Sequence, residues 1–395
     1  MGFSALGKMA VLEHAETDRL VASSAAFRVE FFRDWSQATT RWNDRGDNTS
    51  FQHRHWLDAW YRNFDSVSPL IAIITDAVTQ RDIALVPLVQ HRHRGIRLVE
   101  FADLAVSDYN APILACGAPR DPAGMRAMAR ALLAGLRQLP DRLDLIRLKK
   151  LPAEICGRPN PLVALGRNGS SSLNGNLVEI GDDFEAYRAS IRKMQMPRYW
   201  RLFTRRPGAR FQVATTADEA LRFLDVMDVQ QRERMNKLGQ SFVLDEPHYA
   251  KFYRDVVSRG VTEGYAVVSA LVCNDEVVAT TLGLRHGAHF VFLRSSNAGK
   301  QWAVCSPGLL CVERTMAALH EQGVRHFDLS IGNYDYKLQF GAKPQPPLTD
   351  VSIALSWRGA PYALRDSAAQ RLRRYPRLAE RVRRAVGPLS AANPH

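Results

Sequence analysis

The hydrophobic and polar positions of this chain form two kinds of block. Short apolar runs between polar turns predict strands, and apolar residues that recur every three or four positions predict helices. Residues 70–102 contain three strand-like blocks, LIAIIT, IALVPLVQHRHRG and IRLVEF. Residues 265–295 repeat that plan with YAVVSALV, VVATTLGLR and HFVFLRSS. The pattern predicts two antiparallel meanders in one chain.

Each meander is followed by a helical block that opens with proline and then by another strand-like block. Pro122 opens PAGMRAMARALLAGLRQL, and Pro307 opens PGLLCVERTMAALHEQG. Asp144 and Asp328 lie in the blocks that follow. The prolines are 185 residues apart (307 − 122) and the acids 184 (328 − 144). This nearly equal spacing predicts a duplicated α+β domain.

The stretch between the two halves is rich in Gly, Pro, Asn and Ser, which is typical of a linker. Beyond it, Asp182 or Asp183 can cap a helix that buries Phe184 and Tyr187, and a second helix is expected at roughly 217–237. The predicted organisation is a flexible N-terminus (1–25), a first domain (26–165), a linker (166–176), a second domain (177–358) and a basic amphipathic tail (359–395).

Composition narrows the class of protein. Among 395 residues, 46% are apolar and 24% charged, which excludes a disordered or collagen-like chain. The five cysteines include no C-x-x-C pair, so we expect reduced thiols and no metal site. No apolar run is long enough to span a bilayer, and Glu13 and His14 interrupt the segment where a signal peptide is apolar. We therefore expect a cytoplasmic protein.

The formal net charge of +13 is concentrated in two segments. Residues 192–210 contain seven basic residues and no acid, and residues 365–384 contain eight arginines against Asp366 and Glu380. Local positive charge indicates anionic partners at those places. The tail either contacts the anionic inner face of a membrane or an acidic partner, or packs its apolar stripe on the protein itself. The segment 192–210 either holds phosphates or is a solvated helix face.

Candidate chemistry is densest near the C-terminal end of the second half. Signatures of P-loop nucleotidases, Rossmann dehydrogenases, zinc peptidases and serine hydrolases are absent from the sequence. Ser306-Pro307-Gly308 precedes a helical block, and a helix N-terminus with exposed amides can hold a phosphate. An ordinary serine cap is the alternative for the same residues. The block from Asp328 to Lys337 ends a strand in a Gly turn and then presents two tyrosines, an acid and a lysine.

These residues carry a resemblance to a known family. The pattern S-P-G, a helix, Gly323 and then F-D-x-x-x-G-x-x-x-Y-K resembles CelD/BioF-like acetyltransferases of the GNAT superfamily, relatives of the peptidoglycan-bridge ligases that use aminoacyl-tRNA. Ser107-Asp108-Tyr109, the helix with Phe51-Gln52…Trp56-Leu57…Trp60, and Arg234…Gly239 are similar too, so the resemblance covers roughly residues 27–360. It departs at Asn333, where the family often has an acid.

The resemblance implies a fold and a distribution of roles. The fold is α+β, with tandem GNAT-like domains that each contain a mostly antiparallel mixed sheet flanked by helices. The second domain would bind acyl-CoA, and the first would help form the acceptor groove. The implied catalytic residues are Asp108, Tyr336 and Lys337; the acyl-CoA residues are Ser306, Pro307, Gly308, Arg201 and Arg205; and the acceptor residues are Tyr109, Arg234, Asp328, Gly332 and Asn333.

The expected activity is transfer of an acyl group from acyl-CoA, without a metal, to an amine or hydroxyl of a small molecule or glycan. The expected setting is the biosynthesis of cell-envelope polysaccharides or conjugates. An aminoacyl-tRNA-dependent ligase is the first alternative, and only there is a nucleic acid expected as partner, because phosphate contacts would use the arginine-rich segment. A non-catalytic partner of a polysaccharide synthase that keeps the fold is the second.

Overall fold

The structure is a computed structural model that describes residues 19–23, 26–42, 46–166 and 170–373. These residues form two compact units. The first contains the described residues up to Gln52, Asp65–Ser171 and the described residues from Thr349 onward. The second contains His53–Phe64 and Ser172–Leu348. Neither unit is continuous in sequence. The segment His53–Phe64 lies between two segments of the first unit but belongs to the second, and Ser172–Leu348 separates the C-terminal segment of the first unit from the rest of it.

The first unit combines two sheets with helices. Its elements are β1 Arg19–Ser23, β2 Phe27–Phe32, α1 Trp35–Arg41, β3 Ser68–Pro69, β4 Ile71–Asp76, β5 Asp82–Val86, β6 Leu88–His93, β7 Ile96–Phe101, β8 Ile113–Leu114, α3 Pro122–Gln138, β9 Leu145–Leu151, β10 Glu154–Ile155, β11 Arg158–Pro159 and α10 Ala360–Arg373. One sheet has the strand order β1-β2-β4-β5-β8, and all its pairs are antiparallel. The strand order of the other is β18-β9-β7-β6-β3, to which β18 (Lys343–Ala354) contributes its C-terminal part. Strands β7 and β9 are parallel, and the other pairs are antiparallel.

One predicted strand of the first meander is two strands in the structure. Pro87 separates β5 from β6, and the two strands pair in different sheets. Proline has no amide hydrogen to donate, so it interrupts a ladder of hydrogen bonds. The apolar residues of both sheets, together with Leu132 and Leu136 of α3, form the core of this unit.

The second unit is built around one sheet. Its elements are α2 Arg54–Asn63, β12 Ser170–Glu179, α4 Phe184–Ser190, α5 Met196–Thr204, β13 Ala209–Val213, α6 Ala217–Lys237, α7 Pro247–Gly260, β14 Ala266–Cys273, β15 Glu276–His286, β16 His289–Asn297, α8 Pro307–Glu321, β17 His326–Asp328, α9 Asp335–Gln339 and β18; the unit borders lie within β12 and β18. The strand order is β13-β14-β15-β16-β17-β12. Only β16 and β17 are parallel among its described pairs.

Both units follow the repeated plan of the sequence: a meander, a helix that begins at proline, and a strand that returns parallel to the last strand of the meander. The helix starts are equivalent, but the two acids are not. Asp144 precedes β9, whereas Asp328 is the last residue of β17. The similar spacing in sequence therefore predicted two equivalent helix starts correctly, but the two acids that it matched do not occupy equivalent positions.

Other predicted boundaries change as well. Residues 19–23 of the predicted flexible N-terminus form β1, which pairs with β2. Residues 170–176 of the predicted linker belong to β12. The first part of the predicted tail is α10. Residues 1–18, 167–169 and 374–395 of these three segments lie outside the described residues.

Candidate functional site

Two parallel strands of the second unit separate along their length. Strand β17 pairs with β16 only from His289 to Val291, whereas β16 continues to Asn297. Beyond Val291, β16 has no strand on its β17 side among the strands that the structure describes. One carbonyl of this stretch, that of Ser295, accepts from Nε2 of Gln231 at 2.9 Å. An unpaired strand edge of this kind can pair with an extended ligand.

The N-terminus of α8 lies beside the end of β16. A Cβ atom on Gly308 would be 3.2 Å from Nδ2 of Asn297, so the helix begins next to the last residue of the strand. Pro307 is the first helical residue and has no amide hydrogen. The amides of Gly308 and Leu309 are the first to point out of the helix, where no helical carbonyl can accept from them.

Ser306 does not close this helix end. Its backbone has φ 45° and ψ 58°, and its side chain makes no capping hydrogen bond to any residue the structure describes. The alternative of an ordinary serine cap is therefore wrong. A left-handed conformation is strained for a residue other than glycine, and such strain is often kept where a site needs it.

The corresponding helix of the first unit is closed by a carboxylate. Oδ1 of Asp121 accepts from the amide of Ala123 at 3.0 Å and from that of Gly124 at 2.9 Å. These hydrogen bonds, chiefly that from Gly124, lower the pKa of Asp121. Of the two duplicated helix starts, only that of α8 is left for an external anion.

The basic segment lies next to the start of α8. Helix α5 packs against the short 3₁₀ helix Lys300–Cys305 and against α8. All seven basic residues are exposed, and within the described part of the chain none of them forms an ion pair with an acid. They are Arg192, Lys193, Arg198, Arg201, Arg205, Arg206 and Arg210. The predicted acyl-CoA residues Arg201, on α5, and Arg205, which directly follows it, therefore lie in the same unit as Ser306–Gly308.

The loop after β17 is held from inside by a lysine. Lys337 is 2% exposed, and its Nζ donates to the carbonyls of Ser330 at 3.0 Å and Ile331 at 2.6 Å. This geometry gives Lys337 a positioning role, whereas the sequence predicted a donor to a bound anion. Two of its three N–H bonds are occupied by the main chain.

Two further predicted residues belong to the same loop. Oδ1 of Asp328 accepts from the amide of Ser330 at 2.6 Å, and Nδ2 of Asn176 donates to the carbonyl of Gly332 at 3.0 Å. Gly332 has φ 94°, and a Cβ there would lie 3.0 Å from the ring of Tyr334. Asp328 and Gly332 thus shape the loop. This loop follows the C-terminal end of β17, and the start of α8 follows the C-terminal end of β16, the strand parallel to β17.

Tyr336 and Arg234 interact electrostatically in this unit. Burial, with a smaller effect of Tyr334, raises the pKa of Tyr336 to about 12, and the charge of Arg234 opposes that rise. The rings of Tyr334 and Tyr336 are stacked, with centroids 6.1 Å apart. Arg234 is exposed, as is Asn333, and has no acidic partner within the residues described. Tyr336 and Arg234, which the sequence analysis named for separate roles, are thus close enough to influence each other.

Asp108 and Tyr109 lie in the first unit, in a tightly held loop. Tyr109 is buried, and its carbonyl accepts from Nε2 of Gln52 at 3.1 Å. Asp103 fixes the start of the loop through an ion pair of 2.6 Å with Nζ of Lys150 and a hydrogen bond from the amide of Ser107. Asp108 is half-buried. Its predicted role as a base or acceptor-orienting residue stays a prediction.

Sequence reasoning missed one half-buried arginine of the second unit. Arg294 on β16 forms a 2.6 Å ion pair with Asp228 of α6, and its Nε donates to Gln231 at 3.1 Å. Its guanidinium lies 4.9 Å from the ring centroid of Tyr253, and buried Nη1 has no hydrogen-bond partner among the described residues. The signal was a charged residue at the end of the apolar block HFVFLRSS.

The described residues contain no group of three or more His, Cys, Asp or Glu side chains arranged for a metal ion. They also contain no helix that is long and apolar enough to cross a bilayer.

Comparisons with known proteins relate part of this chain to a domain family and its fold to solved structures. Residues 189–338 match the model of the acetyltransferase (GNAT) domain. No curated protein sequence matches the chain significantly. The crystal structure of FemX is 10% identical and covers 82% of this chain and 96% of its own, with a TM-score of 0.56. L-PGS from Bacillus licheniformis is 12% identical and covers 86% of this chain and 97% of its own, with a TM-score of 0.46.

The matched segment contains the predicted Ser306–Gly308 turn, the loop after β17 and Tyr336. The likeness to FemX extends over most of both chains and shows the fold. The predicted fold class is thereby confirmed: the chain has a GNAT fold with tandem α+β units, and residues 189–338 are similar to the GNAT acetyltransferase domain.

Proposed function

We propose that this protein is an acyl-CoA-dependent acyltransferase whose donor site lies in the second unit. The observation that carries this proposal is the uncapped N-terminus of α8 beside the strand edge of β16, beyond the point where β17 ends. A diphosphate suits the helix end, and an extended amide-containing arm suits an unpaired strand edge. Acyl-CoA carries both groups in one molecule.

The residues of the second unit would divide the binding of this donor. The amides of Gly308 and Leu309 would donate to diphosphate oxygens, while Arg201 and Arg205 would attract the remaining phosphate. Both arginines are exposed and free of acidic partners among the described residues. An anion would therefore meet their full charge rather than compete with a carboxylate.

The reaction needs a nucleophile and a group that stabilises the negative charge developing in the transition state. An amine or hydroxyl lone pair of the acceptor forms a bond to the thioester carbonyl carbon, the carbon–sulfur bond breaks, and the thiolate leaves. The acceptor's proton goes to a general base. A thiol pKa near 8.5 makes the thiolate a weaker base than a phenolate of pKa about 12. Tyr336 would therefore donate a hydrogen bond to the developing charge and keep its proton.

The acceptor is proposed to be an amine or hydroxyl on a small molecule or glycan of cell-envelope metabolism. Arg234 lies near Tyr336 and carries a charge that no described acid pairs with. It would attract an acidic group of the acceptor, with Asn333 as a further proposed contact. Acceptors with a carboxylate or phosphate are the first to test.

Ligand binding tests the donor site. Acetyl-CoA at 100 times its Kd should stabilise the folded protein by about 2.7 kcal/mol, which a thermal-shift assay detects as a higher Tm. Gly308→Val should abolish this shift, because the new side chain would cover the start of α8. Gly117→Val in the first unit is the control and should leave the shift intact. No shift with acetyl-CoA in the unmodified protein would contradict the donor site.

Kinetics test the role of Tyr336. With an acceptor found by mass spectrometry of acylated products in a host extract, Tyr336→Phe should lower kcat/KM by about 10²-fold, which is the usual cost of losing one donor to transition-state charge. Tyr334→Phe is the matched control, because its ring stacks on Tyr336 and is more exposed. Equal kcat/KM in the two variants would remove Tyr336 from the mechanism.

The second candidate is an aminoacyl-tRNA-dependent ligase. The seven exposed basic residues of 192–210 favour it, since they suit a phosphate backbone as well as a single cofactor. A thermal shift with aminoacyl-tRNA and none with acetyl-CoA would replace the first proposal by this one. A chain that responds to neither would fit the non-catalytic partner of a polysaccharide synthase.

A further inference from the structure

Helix α10 of the first unit has one docked face and one face with large apolar side chains in water. On the docked face, Tyr362 and Ala363 pack against the cluster of Ile96, Leu98 and Leu145. On the outer face, Leu364 is 71% exposed, and Trp357, just before the helix, is 83% exposed. A tryptophan and a leucine left this exposed are unexplained by the packing of the unit.

The segment around α10 contains one acidic residue, and that residue forms its hydrogen bonds on the docked face. Between residues 357 and 373 the only acidic residue is Asp366, and its Oδ2 accepts from Nε of Arg147 at 2.8 Å and from Oγ of Ser352 at 2.8 Å. Arg365 and Arg371 remain exposed on the helix. The outer face is therefore positive and carries no compensating carboxylate of its own.

The turn between β6 and β7 adds charge to the same surface. Nη2 of Arg358 donates to the carbonyl of Gly95 at 2.8 Å, and the hydroxyl of Tyr362 donates to that of Arg94 at 3.1 Å. These contacts join the turn that contains the exposed Arg94 to the start of α10, where Arg358 follows Trp357 and is exposed as well. Asp144, which accepts from Ser356 and from the amide of Arg97, is buried.

We infer that this surface binds the anionic face of a phospholipid bilayer. The α10 outer face, as we name it, consists of Arg94, Trp357, Arg358, Leu364, Arg365 and Arg371. Tryptophan is the side chain that membrane interfaces favour most, and arginines beside it attract anionic headgroups. A bilayer covers the apolar and the basic side chains together, which a soluble anion does not.

Charge and sequence beyond the helix favour lipid over a nucleic acid. Residues 374–384 add five arginines against one glutamate, so the positive segment continues in the sequence. Phosphates of a nucleic acid would use these arginines but would leave Leu364 in water. Stable anchoring takes two signals, and apolar insertion plus a basic patch supply them. The inference does not depend on the proposed acyltransferase activity, because it concerns the first unit alone.

Vesicle co-sedimentation of the full chain tests this inference. The protein should bind vesicles of phosphatidylcholine with one third phosphatidylglycerol, and binding should weaken with salt. The double variant Trp357→Ala/Leu364→Ser should bind about tenfold more weakly or worse, and so should Arg365→Glu/Arg371→Glu. Pure phosphatidylcholine vesicles should bind little of the protein.

Matched controls lie elsewhere in the first unit. Val78→Ala removes an apolar side chain that is equally exposed, and Arg130→Glu reverses an exposed charge on α3; neither should change vesicle binding. Circular dichroism should show all variants folded, and each should keep its thermal shift with acetyl-CoA if the unmodified protein has one. That readout separates failure of this inference from failure of the proposed function.

Three results would overturn the inference. The first is no binding of the unmodified protein to anionic vesicles. The second is unchanged binding of Trp357→Ala/Leu364→Ser, which would leave α10 without a role. The third is binding to tRNA that the Arg365→Glu/Arg371→Glu variant loses while its vesicle binding is unchanged, which would make the surface a nucleic-acid site.

Discussion

A lysine that the sequence motif places in the reaction is part of the support for a loop. The buried Lys337 donates to the carbonyls of Ser330 and Ile331 and lies 5.4 Å from the ring centroid of Tyr334. The sequence motif implied that Tyr336 and Lys337, which are adjacent, would both take part in catalysis. It could not predict the direction of the lysine, because adjacent residues on a short helix point to different sides.

Removing this ammonium group should destabilise the second unit. Lys337→Met keeps the length of the side chain but leaves two main-chain carbonyls without their donor, at an expected loss of about 2–4 kcal/mol in the free energy of unfolding. Urea unfolding measures this loss.

A surface lysine provides the comparison. Lys343 forms an exposed ion pair of 2.9 Å with Glu179, and Lys343→Met should cost less than about 1 kcal/mol. Equal losses in the two variants would show that the contacts of Lys337 with the loop carry no stability.

Among the elements, the two helices that open with proline offer an internal comparison. Asp121 caps α3 through two amides, whereas the side chain of Ser306 caps nothing within the described part of the chain. Asp121→Ala should lower the Tm by about 2–4 °C, because two amides lose their acceptor. Ser306→Ala should leave the Tm almost unchanged. A larger fall for Ser306→Ala than for Asp121→Ala, by calorimetry, would mean that Ser306 closes its helix after all.

Helix α2 joins the second unit through an aromatic cluster at its N-terminus. His53 stacks on Tyr265 with ring centroids 4.3 Å apart and lies 5.6 Å from His286. Burial, with the charges of His286 and His55, lowers the pKa of His53 from 6.5 to about 4. The unfolded chain therefore takes up a proton near pH 6.5 that the folded chain accepts only near pH 4.

This difference predicts a loss of stability as the pH falls. Between pH 7 and pH 5 the unfolded state binds more protons at His53, which should remove about 1–2 kcal/mol after allowance for its partial exposure. His53→Asn keeps a side chain that can cap α2 and should lose less stability over this range. Urea unfolding at both pH values measures the difference, with His248→Asn as control. An identical pH dependence of His53→Asn and the unmodified protein would show that protonation of His53 is not the cause.

The local pattern of residues was sufficient to predict most helices and strands, but not which distant strand or helix each of them packs against. The predicted helix at 217–237 and the cap at Asp183 are confirmed, since periodicity and capping act over a few residues. The break at Pro87 and the membership of α2 in the second unit were missed. Both depend on which distant strand or helix each segment packs against, and that information is spread over the whole chain.

At the scale of the whole molecule, duplication could be predicted because it repeats in the sequence. The interruption of the units could not, since no composition shift marks His53–Phe64 or Thr349. The site was predicted best where one short motif contains it, as at Ser306–Gly308. Arg294 and Asn297 escaped, because they are joined to their neighbours by pairing between strands and helices far apart in sequence.

The net charge of +13 is also a property of the whole molecule, and its uneven distribution yields a last prediction. If Arg201 and Arg205 attract the phosphates of CoA, raising the salt concentration from about 50 to about 300 mM should weaken CoA binding several-fold, since exposed charges are screened. Arg201→Gln/Arg205→Gln should bind CoA more weakly at low salt and show a flatter salt dependence by calorimetry. Arg126→Gln/Arg130→Gln, an exposed pair with the same spacing on α3, removes equal charge from the first unit. The same loss of affinity in both variants would mean that total charge, and not the segment beside α8, attracts the ligand.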